Sequence, residues 1–117
     1  MAFRVPVGDT SALRVCLAAE DSLVREVKLL DLSLTGALVE FPEQQHPGLP
    51  IGSVTKLEVR LGRDVVELKA EVRRHYKRQY GVFFAETITA EGLDPSEALR
   101  RIVSVLERQW LQVRMPS

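Results

Sequence analysis

Hydrophobic and polar residues alternate with a period of two along most of this chain, which is the pattern of half-buried strands. The clearest pair of strands is residues 53–61 and 65–73, with Gly62-Arg63-Asp64 as the turn between them. Outward positions in both strands are charged, with both signs present, and this favours antiparallel pairing. The inward positions of the pair are Thr55, Leu57, Val59, Leu61, Val66, Leu68, Ala70 and Val72.

Shorter alternating stretches predict four more strands. They are residues 12–19, 25–31, 36–41 and 80–84. The first two are expected to form a hairpin, with Leu13, Val15 and Leu17 facing inward and Cys16 as a small buried side chain. The stretch 42–52 is rich in proline and glycine, so it is expected to be a loop that crosses from one part of the sheet to another.

The period changes to that of a helix near the end of the chain. Asp94 is the predicted N-cap and Pro95 the first helical residue. Trp110, on the apolar stripe, is expected to pack against the strands. The stripe consists of Leu99, Ile102, Val103, Leu106 and Trp110.

These elements predict an all-β fold with one C-terminal helix, namely a six-stranded antiparallel barrel with the helix packed on it. Closure into a barrel removes exposed strand edges. The expected division of this single domain is a flexible N-terminal arm over residues 1–11, a barrel over 12–92 and a helix over 93–114.

Composition narrows the classes of function. The chain has 16 Lys and Arg against 16 Asp and Glu, so a general coat of nucleic acid or anionic membrane is not expected. Its single cysteine excludes an internal disulfide and a thiolate cage for zinc. No apolar run spans a bilayer and the start does not resemble a signal peptide, so we expect a cytoplasmic protein without membrane insertion.

Catalytic motifs are missing from the sequence. His46 and His75 are far apart and have no metal-binding spacing, and Ser33 is not in a GxSxG elbow. The sequence contains neither GxxxxGK[ST] nor GxGxxG. We therefore predict no enzyme, no metal and no cofactor.

The segment from Asp31 to Gly36 has two possible interpretations from its chemistry alone. Asp31 and Ser33 could hydrogen-bond the backbone of a turn, with Gly36 supplying a bend at positive φ. Alternatively, the same acid, hydroxyl and bare backbone could hold a ligand.

A family resemblance favours the interpretation that this segment holds a ligand. Asp31-x-Ser33-x-x-Gly36, followed by Ala37-Leu38-Val39, resembles the [DN]xSxxG motif of the PilZ domain. Phe3-Arg4-Val5-Pro6-Val7 resembles the end of that family's RxxxR motif, and Tyr80-Gly81-Val82-Phe83-Phe84 resembles the strand that closes its barrel. The resemblance implies a six-stranded split barrel and, in many members, a receptor for the bacterial second messenger cyclic di-GMP.

The resemblance also implies the ligand-binding residues, which are Arg4, Asp31, Ser33 and Gly36. Arginine can grip phosphate or the guanine O6/N7 edge, and a carboxylate can accept from the guanine N1–H and amino group. If Arg4 is the second arginine of RxxxR, the first would precede Met1. Two hypotheses follow, a receptor that relays cyclic di-GMP to an unidentified protein partner, and a degenerate adaptor that ignores the nucleotide and acts through protein contacts. We expect a monomer or weak dimer that does not bind nucleic acid.

A basic segment, Arg73-Arg74-His75-Tyr76-Lys77-Arg78, is predicted at a hairpin tip between the last two strands. It is expected to be a solvated turn, with an auxiliary phosphate contact or a partner-binding surface as the functional alternatives.

Overall fold

The computed structural model of the chain describes residues 5–6, 13–18, 24–42, 48–89, 92–93 and 96–114. The strands are β1 (Val5–Pro6), β2 (Leu13–Ala18), β3 (Val24–Glu26), β4 (Lys28–Leu32), β5 (Gly36–Glu40), β6 (Val54–Leu61), β7 (Asp64–Tyr76), β8 (Gln79–Phe83), β9 (Ile88–Thr89) and β10 (Gly92–Leu93). A 3-10 turn over Ala85–Thr87 precedes β9, and the helix α1 covers Glu97–Arg114.

Strands β1 to β8 form one antiparallel sheet in the order β1-β4-β5-β8-β7-β6-β2-β3, and β9 pairs with β10. β3 and β4 are consecutive in the chain, separated only by Val27, yet they belong to opposite ends of that order. The Val27 amide donates to the Val15 carbonyl at 2.9 Å, so the segment stays paired with β2 as it bends. The sheet therefore curls until its two ends meet along this one segment, which gives a split barrel.

The predicted all-β fold with one C-terminal helix is confirmed, although the strand count is larger than six. The predicted strand 25–31 is divided into β3 and β4 at Val27, and β1 adds a strand at the edge. The predicted crossing over residues 42–52 is also confirmed, because β8 and β7 lie between β5 and β6 in the sheet.

The core contains the side chains that the period-two pattern assigned to it. All eight inward positions predicted in β6 and β7 are at most 8% exposed. Phe41 and Tyr80 are both fully buried and meet edge to face, with 5.3 Å between ring centroids. Burial raises the pKa of Tyr80, while the Leu49 and Gly48 amides at its hydroxyl act in the opposite direction.

The helix contributes to the same core but begins later than predicted. Leu99, Ile102, Val103 and Leu106 are buried and α1 contacts β7 and β1, as the stripe predicted. Among the described residues, the first hydrogen bond of α1 runs from the Arg100 amide to the carbonyl of Ser96 at 3.1 Å, two residues after the predicted cap position.

Ser96 is the N-cap, since its Oγ accepts from the amide of Leu99 at 3.2 Å. Asp94 and Pro95 lie outside the described residues, as does the side chain of Trp110, whose predicted packing stays a prediction.

Cys16 is half-buried on the outer face of β2, which corrects its predicted burial. Its two inward neighbours in β2, Val15 and Leu17, occupy the core positions. Cys16 is paired with Glu26 on one side and Glu58 on the other. Burial, followed by these two carboxylates, raises the pKa of the Cys16 thiol.

The basic segment is mostly strand, which corrects its placement at a hairpin tip. β7 continues to Tyr76, and only Lys77 and Arg78 form the turn into β8. Lys77 adopts a positive φ of 54°, which permits this tight reversal. The arginines at positions 73 and 74 therefore stand on a sheet and not on a loop.

A candidate ligand site on the outer face of the sheet

The turn between β4 and β5 is closed by Ser33. Its amide donates to the Gly36 carbonyl at 2.9 Å, and its Oγ accepts from the amides of Thr35 at 3.2 Å and Gly36 at 3.1 Å. Ser33 is 1% exposed, so its hydroxyl faces the turn backbone and not solvent. The turn-holding interpretation therefore describes Ser33 in this structure.

Gly36 is the buried first residue of β5 and is paired with Phe83 of β8. The expected bend at positive φ is wrong, since the glycines with positive φ in the described part of the chain are Gly48, Gly52 and Gly62. Because Ser33 Oγ closes the turn, Gly36 can keep the extended backbone of a strand. The Phe84 amide donates to the Thr35 carbonyl at 2.7 Å and fastens the turn to the end of β8.

Asp31 is turned away from the core by a β-bulge. Leu29 is paired with Val39 and Asp31 with Leu38, which leaves Leu30 as the extra residue of β4. Without this bulge, alternation would place Asp31 on the same face as Leu29, which is 3% exposed. The bulge instead leaves Asp31 half-buried on the outer face.

A second bulge acts in the same way on β7. Val72 is paired with Val82 and Arg74 with Gly81, which leaves Arg73 as the extra residue. As a result both arginines reach the outer face of the sheet. The Arg73 guanidinium lies 4.4 Å from the centroid of the Phe83 ring and forms an ion pair with Glu71 at 3.0 Å.

The two bulges bring Asp31 and Arg74 into one cross-strand row. Asp31 of β4 is paired with Leu38 of β5, Leu38 with Gly81 of β8, and Gly81 with Arg74 of β7. We call these four residues the Asp31–Arg74 row. The sequence singled out Asp31 but placed Arg74 in a solvated turn, because a period-two pattern contains no signal for an inserted residue.

The N-terminal segment reaches this row at the β4 end. Val5 is paired with Leu32 and Pro6 with Asp31. The predicted arm, residues 1–11, is described only at these two residues, where it is a strand of the sheet. Arg4 lies outside the described residues, but its chain neighbour Val5 is adjacent to the Asp31–Gly36 segment.

Of the four predicted site residues, the structure therefore describes Asp31, Ser33 and Gly36, which belong to one segment. Asp31 is accessible on the outer face, whereas Ser33 and Gly36 are buried in the turn. Within the part of the chain that is described, no helix has both the length and the apolar character needed to cross a bilayer.

Comparisons with known proteins agree with this architecture. A comparison with curated proteins gives no significant match. Among solved structures, the chain is similar to the PilZ domain of YcgR from Escherichia coli, determined with c-di-GMP, with a TM-score of 0.70 and 19% identity over 97% of this chain and 94% of that one.

It is also similar to the Bacillus subtilis inhibitor of motility, MotI/DgrA, with a TM-score of 0.63 and 19% identity over 95% of this chain and 50% of that one. An uncharacterised Legionella protein, Lpg0364, has a TM-score of 0.55 and 17% identity over 97% of this chain and 99% of its own. At these identities the likeness shows the fold. The model of the PilZ domain matches residues 3–104, nearly the whole length of the sequence, and the chain therefore belongs to the PilZ domain family.

Proposed function

We propose that this PilZ domain binds cyclic di-GMP on the outer face of its sheet, beside the Ser33–Gly36 turn, and relays the bound state to a protein partner. The observation that carries the proposal is the pairing of Val5 and Pro6 with Leu32 and Asp31. It brings Val5, the residue that follows Arg4 in the chain, next to the strand that carries Asp31. The proposed activity is binding, with no catalytic step.

Each predicted site residue has a separate role in this proposal. Asp31 accepts hydrogen bonds from the N1–H and amino group of one guanine, and Arg4 donates to a phosphate or to the O6/N7 edge. Ser33 and Gly36 act by fixing the shape of the turn, because the Ser33 hydroxyl is already bonded to the backbone. The bound solved structure of the YcgR PilZ domain, which has the same fold, supports the choice of nucleotide.

For the relay, we propose that residues 1–11 act as a binding arm. Contact between Arg4 and the ligand would change the surface that this arm presents beside β4, and the partner protein would read that surface.

Calorimetric titration with cyclic di-GMP tests the binding step. We expect saturable binding that Arg4→Ala and Asp31→Ala each abolish or weaken strongly. The matched controls are Arg63→Ala, in the exposed β6–β7 turn, and Glu67→Ala, an exposed carboxylate on β7, and both should bind like the parent chain. Binding that survives both Arg4→Ala and Asp31→Ala would overturn this site.

A second titration tests the contribution of the first arginine of the RxxxR motif, which would stand four positions before Arg4. An extension that places an arginine four positions before Arg4 adds a charged contact of roughly 2–5 kcal/mol. Since about 1.4 kcal/mol corresponds to tenfold in affinity, this predicts binding tighter by roughly 30- to 3,000-fold.

The burial of Ser33 favours a second candidate function, a PilZ adaptor that binds proteins and not the nucleotide. If neither the chain nor the extended chain releases heat with high micromolar cyclic di-GMP, the receptor proposal is wrong and the adaptor remains.

A further inference from the structure

The side chain of Arg74 lies flat across the bare backbone of β8. A Cβ placed on Gly81 would lie 3.2 Å from Nε and 3.4 Å from Cβ of Arg74. Glycine at position 81 therefore gives the arginine room to point along the Asp31–Arg74 row. Arg74 itself is exposed, whereas Gly81 beneath it is buried.

Arg74 differs from its neighbour Arg73 in its partners. Arg73 is held by Glu71 at 3.0 Å and by the Phe83 ring. Arg74 forms no hydrogen bond or ion pair with any residue that the structure describes. Its guanidinium donors are therefore available to a ligand. Contacts of Arg74 with other described residues do not explain why a bulge turns it to the outer face.

The row places this guanidinium opposite a carboxylate. Neighbouring strands lie about 4.8 Å apart, so Asp31 and Gly81, two strands apart, are separated by about 10 Å. Leu38 lies between them and is half-exposed, which provides an apolar floor. The row therefore offers a ligand hydrogen-bond acceptors at one side of Leu38 and donors at the other.

Guanine carries hydrogen-bond donors and acceptors in an arrangement that fits these groups. Its N1–H and amino group are donors that suit Asp31, and its O6 and N7 are acceptors that suit the fork of an arginine. Adenine presents an amino group where guanine presents O6, so it would set a donor against the arginine.

We infer that Arg74 reads the O6/N7 edge of a guanine whose other edge is held by Asp31, and that it thereby sets the preference of this domain for guanine over adenine. The inference rests on the proposed function, since it names a further contact of the same nucleotide site, and it assigns Arg4 to the phosphate. It depends on the β7 bulge and on Gly81, neither of which is part of the motif from which Asp31 was identified.

Titrations with cyclic di-GMP and cyclic di-AMP test the inference. Arg74→Ala should weaken cyclic di-GMP binding by about 10- to 100-fold, the range of one bidentate base contact. It should change cyclic di-AMP binding much less, so the ratio of the two affinities falls. Arg74→Lys keeps the charge and most of the stem but loses the fork, and it should lie between the parent chain and the alanine variant.

The matched control is Arg60→Ala, an exposed arginine on β6 that pairs with Glu58 at 3.4 Å. It should leave both affinities unchanged. Thermal unfolding of each variant shows whether the fold is retained, and the affinity ratio is a readout that lost stability alone does not move.

The titrations distinguish a wrong role for Arg74 from a wrong proposed function. If the parent chain binds cyclic di-GMP and Arg74→Ala binds it equally well with the same preference over cyclic di-AMP, Arg74 has no role in the site and this inference is wrong while the proposed function stands. If neither the parent nor the chain extended by an upstream arginine binds cyclic di-GMP, the proposed function is wrong and this inference is overturned with it.

Discussion

At the scale of single residues, Ser33 illustrates how a motif residue can support a fold. Its Oγ accepts two backbone amides in a site that is 1% exposed. Ser33→Ala leaves both amides without that acceptor, so we expect the free energy of unfolding to fall by about 1–3 kcal/mol. Urea denaturation measures the change.

The control for Ser33→Ala is Ser53→Ala, because Ser53 Oγ donates to the Pro50 carbonyl at 2.6 Å in an exposed turn. This substitution should cost less, since solvent can replace the lost bond. Equal losses for the two variants would show that Ser33 does not hold its turn.

Cys16 provides a prediction about pH. Burial and the carboxylates of Glu26 and Glu58 raise the pKa of its thiol, so little thiolate is present near pH 8 and alkylation by iodoacetamide should be slower than for a free cysteine. Glu26→Gln removes a negative charge, lowers the pKa and should speed alkylation. Rates measured from pH 7 to 10 test this direction.

Glu97→Gln, on the exposed first turn of α1, is the control and should leave the rate unchanged. The raised pKa of the Cys16 thiol also determines how this group changes the stability of the fold with pH. A thiol with a raised pKa contributes stability that is complete below the pKa of the unfolded chain and is lost as pH rises through the folded value. A faster reaction in the parent than in Glu26→Gln would contradict the assignment.

At the scale of elements, the start of α1 depends on one hydroxyl. Ser96 Oγ caps the helix through the Leu99 amide, so Ser96→Ala should lower the free energy of unfolding by about 0.5–2 kcal/mol. Ser104→Ala, at an exposed mid-helix position, is the control and should be neutral or slightly stabilising. A neutral Ser96→Ala, measured by thermal denaturation, would place the cap elsewhere.

The sequence predicted the faces of strands better than their limits. Alternation identified the inward side chains of β6 and β7 because one face of each strand must be buried. It could not predict the bulges at Leu30 and Arg73, because an extra residue interrupts the period without a change in composition. The motif therefore identified Asp31, whereas its relation to Arg74 is visible only in the register of four strands.

The same limit applies to local caps and turns. Asp94 and Ser96 are both good N-cap residues by type, and the sequence does not reveal that the Ser96 hydroxyl accepts from the Leu99 amide. Gly36 could have supplied positive φ, but the side chain of Ser33 made that unnecessary.

At the scale of the whole molecule, α1 and the sheet share one hydrophobic core. Ile102 is fully buried in it, and Ile102→Ala should lower the free energy of unfolding by about 2–5 kcal/mol. Because the core is shared, helix and sheet should still unfold together. The fluorescence of the single tryptophan, which lies in α1, follows the helix. Circular dichroism in the region of the β-sheet signal follows the sheet.

Val105→Ala, at a half-buried position of the same helix, should cost less than Ile102→Ala. A helix signal that is lost at lower denaturant than the sheet signal would show that α1 is an independent unit, and the shared core would then not determine the stability of the fold.

The two bulges also determine where this chain can change its length. Loss of residue 30 would join Leu29 directly to Asp31, and their partners Val39 and Leu38 are already consecutive. Loss of residue 73 would likewise leave Val72 and Arg74 opposite Val82 and Gly81. Elsewhere in a strand, a one-residue deletion turns every following side chain to the other face. Single-residue gaps between homologues are therefore compatible with an unchanged interior at these two points of the sheet.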